Sequence, residues 1–150
     1  MALELFVLSD KQLDLLDAWQ AAIDGEGFPV RLTSDRPMDA LKGFLPVLLR
    51  GIQTGFECDH WRAEVFMRER SNVDFGHEWR YALAFRWGGD FNQLQSAWMA
   101  AAAYAKATGG IVFDDEDGKI HTAVEARDVV QDMDRGLPII EGILRDLRKA

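Results

Sequence analysis

The sequence has one cysteine, Cys58, so no intramolecular disulfide can form and nothing points to a disulfide-stapled secreted scaffold. It has no long hydrophobic run. The apolar start, Met1-Ala-Leu-Glu-Leu-Phe-Val-Leu, lacks a basic flank and meets Asp10 and Lys11 almost at once, too soon for a signal peptide or a membrane span. The expected location is the cytoplasm, without a membrane partner. Basic charge is also scarce. Lys and Arg number 17 against 25 Asp and Glu, a formal net charge of −8, and the pI is near 4.8. No basic stripe reverses that field locally, because Glu64 and Glu69 interrupt Arg62, Arg68 and Arg70. Phosphate backbones and anionic lipid are therefore repelled, and no nucleic-acid partner is expected. No linker, internal repeat or low-complexity tract divides the chain.

What is present suits one compact fold. At 150 residues, with 48% hydrophobic and 28% charged side chains, the chain has the material for a single core over 1–150. Residues 3–8 read as a buried strand. Ser9 and Gln12 read as a capping box for a helix that places Leu13, Leu16, Trp19 and Ile23 on one stripe, ended by Gly25 and Gly27. Phe28 to Leu32, Leu45 to Leu49 and Gly55 to Cys58 read as strands. Asp35-Arg36-Pro37 could open a short helix. Residues 62–73 have no clear period, with Glu64 to Met67 fitting a strand or a helical turn.

Alternation from Trp79 to Trp87 predicts a strand with Trp79, Tyr81, Leu83, Phe85 and Trp87 on one face. Ala82 and Ala84 on the other face would let a helix approach or lie under solvent. Asp90 with Gln93 caps a long alanine-rich helix running to Thr108 and stopped by Gly109-Gly110. A short strand, Ile111 to Phe113, leads into the turn Asp114-Asp115-Glu116-Asp117-Gly118. Thr122 with Glu125 caps a last helix from Ala123 to about Arg148, kinked near Gly136-Leu137-Pro138. The order predicts an α+β fold: a mixed or antiparallel sheet with about three to four helices packed on it.

Candidate chemistry is thin, and each motif has a plain structural reading beside it. Cys58 and His60 could form a nucleophile and base, or join His77 and His121 at a zinc ion, but their spacing matches no such motif. A small buried thiol and a strand-end histidine account for them as well. Gly88-Gly89-Asp90 could offer backbone donors to a phosphate. It lacks a third glycine at dinucleotide spacing and a Gly-Lys-Ser/Thr, so it reads as a capped strand-to-helix turn. The acidic run Asp114, Asp115, Glu116 and Asp117 fails the calcium-loop spacing. No Ser-His-Asp arrangement can be argued from positions alone. No cofactor or metal is implied, and a binding role is expected before an enzymatic one.

As an interaction surface the acidic run is more informative. Residues 114–134 hold eight acids against Lys119 and Arg127, most of the net charge of the chain. Such a patch could steer a basic partner to the surface, or it could be two solvated faces pointing apart. Trp61, between His60 and Arg62 in a poorly patterned stretch, is a candidate exposed anchor. The candidate contact set is Asp114, Asp115, Glu116 and Asp117, with Asp128, Asp132 and Trp61.

Two segments carry a resemblance. One is Leu45-Pro46-Val47-Leu48-Leu49-Arg50-Gly51-Ile52-Gln53-Thr54-Gly55-Phe56-Glu57-Cys58. The other is Phe85-Arg86-Trp87-Gly88-Gly89-Asp90, continued through the alanine-rich helix to Thr108-Gly109-Gly110-Ile111-Val112-Phe113-Asp114. Over about residues 45–114 the chain resembles small bacterial immunity proteins of polymorphic or type VI secretion toxins. The resemblance rests mainly on turn glycines, a cap and a packed helix, and it transfers no catalytic residue. It implies a stoichiometric inhibitor of a cognate toxin, plausibly a nuclease, in the cytoplasm of the producing cell. The alternatives are a structural or regulatory domain acting as a homodimer through the alanine-rich or last helix, and a small enzyme using Cys58 and His60.

Overall fold

The apolar run at the start of the chain is a strand because it must be buried on two sides. In the computed structural model, which describes residues 3–135, β1 (Leu3–Ser9) runs through the middle of one sheet. Leu5 and Val7 face one core, and Phe6 and Leu8 face another. The other strands are β2 (Val30–Leu32), β3 (Phe44–Leu49), β4 (Ile52–Arg62), β5 (Tyr81–Trp87), β6 (Ile111–Asp114) and β7 (Lys119–Thr122). Their order is β2-β3-β4-β5-β1-β6-β7, and every pairing is antiparallel. Four helices pack on this sheet: α1 (Leu16–Gly25), α2 (Ala63–Glu69), α3 (Phe91–Thr108) and α4 (123–135). The α+β class expected from the sequence is the class observed.

The larger core lies between the sheet and α3. Ala97 to Ala105 are all buried, so α3 is covered all round rather than along one stripe. Its alanines let the backbone approach the sheet and α1 closely. Trp19 of α1 donates from Nε1 to the Ala100 carbonyl at 3.0 Å, and its ring meets Tyr104 edge-on at 5.4 Å. Glu26, at the end of α1, reaches Lys106 of α3 at 2.8 Å and Arg127 of α4 at 3.4 Å. At the other end of α3, the Asp134 carboxylate accepts from Gln95 and from Arg50, both at 2.8 Å. This burial removes α3 as a dimerisation surface, one of the two routes a homodimer could have taken.

On the opposite side, α2 lays Ala63 and Phe66 over Phe6, Phe113, Ala82 and Ala84. Both alanines of β5 thus serve helix approach rather than lying under solvent. Arg70, just past α2, places its guanidinium over the Phe66 ring at 4.0 Å and the Phe6 ring at 5.1 Å.

Three local readings are corrected. Ser9 does not cap α1. It pairs with Tyr81 in the β1–β5 ladder, and the next residue, Asp10, accepts from the Arg80 N–H at 3.1 Å and contacts His77 at 2.7 Å. Those bonds keep the chain extended, and α1 begins only at Leu16. Trp79 precedes β5 and packs with the α2-side core, its Nε1 donating to Phe75 O at 3.2 Å. Tyr81, the first residue of β5, is exposed rather than part of a core face. By contrast, the caps at Asp90 and at Thr122 with Glu125 form as expected. The kink expected at residues 136–138, and the helix beyond it, lie outside the described residues.

The glycine pair after α3 does two jobs. Gly109 has φ +70°, the left-handed cap, and the Gly110 N–H closes the helix end on Ala105 O at 2.9 Å. A Cβ on Gly110 would collide with the Leu8 carbonyl, whereas one on Gly109 would meet open space. Gly109→Ala is therefore expected to cost about 1 kcal/mol and Gly110→Ala about 3 kcal/mol, read by urea denaturation. Equal losses would contradict this division of labour.

Candidate functional site

Cys58 lies wholly inside the larger core, facing away from solvent in the middle of β4. Burial pushes its thiol far above the usual range, the neighbouring Asp59 charge adds to that, and Arg36 opposes it weakly. His60 is two residues along the same strand, but its Nε2 is bound to the Met38 carbonyl at 2.7 Å. His77 is held by Asp10, and His121 lies edge-on to Trp98 at 5.5 Å. The histidines are thus dispersed, each tied to its own local partner. Among the described residues, no three His, Cys, Asp or Glu side chains converge on a common point.

The acidic turn joins β6 to β7, and its four carboxylates have different duties. Asp114 is half-buried, and its Oδ1 accepts from the Glu116 N–H at 3.0 Å. Asp115 is neutralised: Arg70 binds it with two hydrogen bonds, 2.9 and 3.2 Å long. Asp117 accepts from the Lys119 N–H at 3.0 Å and stays exposed, as does Glu116. Only Glu116 and Asp117 therefore present free charge at the tip.

The other candidate residues lie on other elements. Asp128 and Asp132 are exposed on α4, which covers the α3 side through Ala126 and Val130. Trp61 is on the opposite side of the sheet, edge-on to Phe6 at 5.1 Å and 37% exposed. It pairs with Ala82, Ala82 with Leu8 and Leu8 with Ile111. The acidic turn adjoins the far end of that ladder, where Leu5 pairs with Asp114.

Trp61 instead lines one of two adjoining clefts. One, of about 410 Å³, is lined by Gln12, Leu13, Asp14, Met38, Asp39 and His60. The other, of about 530 Å³, lies between residues 39–42 and Asp59, His60 and Trp61 of β4. They adjoin at Asp39 and His60, and along the groove and its neighbour the walls carry Asp14, Asp39 and Asp59 against Lys42. Sequence reasoning found Trp61 but missed these carboxylates, which come from three segments with no common spacing.

No protein-family model matches the chain, and no curated protein matches it. Among the described residues, no helix is long and apolar enough to cross a membrane.

Two outcomes follow from the buried groups. Cys58 should react with a thiol reagent about a hundredfold more slowly in the native protein than in denaturant, and equal rates would mean the thiol is open. Burial raises the Asp114 pKa, with the Glu116 N–H opposing. Protonation thus favours the fold, and this contribution fades as pH rises through the raised value. Asp114→Asn keeps the acceptor without the charge. It should raise the melting temperature at pH 7, with the advantage vanishing below about pH 4.

Proposed function

We propose that the chain is an inhibitor that binds a basic protein partner, acting as an immunity protein against a secreted bacterial toxin. The observation that carries this reading is uncompensated negative charge on a rigid frame. Glu116, Asp117 and Asp128 have no cationic partner among the described residues, and Asp132 has only a 3.5 Å contact with exposed Arg135. The turn that carries Glu116 and Asp117 is braced by Arg70, and the helix that carries Asp128 and Asp132 is braced by Glu26 and Arg50. Charges held in place steer a basic surface without paying for ordering on contact. The sequence resemblance points the same way, and a nuclease, with its basic substrate groove, is the toxin class best matched. Action in the cytoplasm of the producing cell belongs to the same reading.

The open reading frame beside that of the chain supplies the test. Its product should arrest growth when expressed alone and be tolerated when this chain is co-expressed. A harmless product, or arrest that persists with the chain present, sinks the proposal. Given a complex, replacing Glu116, Asp117, Asp128 and Asp132 with their amides should slow association about tenfold at low salt and leave urea stability unchanged. An unaltered rate would remove these side chains from the interface.

A further inference from the structure

The groove beside Trp61 exists because β3 stops while β4 continues. β3 pairs with β4 only from Ile52 to Glu57, and β4 runs on to Arg62 against β5 alone. Cys58 donates its N–H to Gly43 O at 2.9 Å, on the side where β3 lies. Antiparallel strands alternate the direction of their backbone groups every residue. His60, two residues on in unbroken register with β5, therefore points its N–H and C=O to that same side, past the end of β3. Neither group has a partner among the described residues. The space they face is the 530 Å³ cleft.

The opposite wall is fixed in place. His60 Nε2 holds Met38 O, Asp59 Oδ1 accepts from the Gly43 N–H at 2.9 Å, and Arg36 donates to Lys42 O at 2.8 Å. Gly43, at φ +75°, turns the chain away from β4 just before β3 begins. The groove is thus held open by bonds that would have to break for it to collapse.

We propose that an extended, basic segment of a partner protein adds to the free edge of β4 at His60, filling the groove as a short strand. Strand addition supplies affinity through main-chain hydrogen bonds and specificity through every second side chain. On the Trp61 side of the sheet, the segment's alternate side chains meet Asp59 and the exposed indole, which suits arginine. Asp39 and Asp14 extend the negative lining along the groove. This rests on reading the chain as a binder of basic proteins and names the part of the partner that the groove takes.

The probe is a capped peptide, Thr-Arg-Val-Arg-Thr-Arg-Val, with arginine at every second position. Three comparison conditions accompany it: the same peptide with glutamate for arginine, the same peptide N-methylated at alternate residues, and the Asp39→Asn/Asp59→Asn protein. Amide hydrogen exchange should slow at His60 about tenfold or more on saturation, with Phe56, already paired to β3, unchanged. The glutamate and N-methyl peptides should bind at least about tenfold more weakly, and the double variant about fivefold. Equal binding of the N-methyl peptide overturns strand pairing, and equal binding of the glutamate peptide overturns the charge assignment. Protection at β2 or β7 instead of His60, or no binding at all, overturns the site. The peptide result does not depend on the toxin test, so either reading can fail alone.

Discussion

The burial of α3 on every side is the constraint from which the architecture follows. A helix with no solvent face must be covered by other layers, and here the sheet covers one side while α1 and α4 cover the rest. Alanine from 100 to 103 makes this possible, because larger side chains would push the sheet and α1 apart. The strands beneath α3 then need a second cover on their far side, which Phe66 of α2 and Phe75 beyond it provide over β1, β5 and β6. β1 is consequently apolar at consecutive positions rather than alternating.

Legibility in the sequence follows from whether a signal is local. The caps at Asp90 and Thr122, the glycine stop after α3 and the strand around Leu83 were readable because their partners lie within a few residues. Ser9 and Trp79 misled because distant groups claimed them. Ser9 obeys its pairing with Tyr81 rather than its capping propensity, and Trp79 packs with the far-side core. The short helix α2 had no readable period because its seven residues bury only Ala63 and Phe66. The groove was invisible for a deeper reason. Asp14, Asp39 and Asp59 are neighbours only through the relation of a loop, a turn and an overhanging strand.

The distribution of charge separates structural from available carboxylates. Glu26, Asp115 and Asp134 each satisfy cations from other elements, and they act as ties between layers. Removing Asp115 would leave the partly buried Arg70 unpaired, so the cost of that tie lies in stability. Glu116, Asp117 and Asp128 make no such tie among the described residues, and their mutual repulsion is a cost that a basic partner would relieve. An acidic run in a sequence therefore overstates an acidic surface. Of the four carboxylates at the turn, Asp115 is paired with Arg70, and Asp114 and Asp117 accept N–H groups of the turn itself.

The two ends of the β2–β3–β4 unit show how differently a strand edge can be treated. At β2 the outer edge is closed by the Gln20 side chain, whose amide donates to Val30 O at 2.9 Å and accepts from the Leu32 N–H at 2.7 Å. That amide stands in for one residue of a neighbouring strand and leaves no template for pairing. At His60 no side chain performs this service, although Gln12, Asp14 and Asp39 border the same groove. An unpaired edge beside a fixed wall costs stability that a longer β3 could have recovered. Within the β2–β3–β4 unit, the closed edge at β2 leaves the free backbone groups at His60, beside negative charge and an exposed tryptophan.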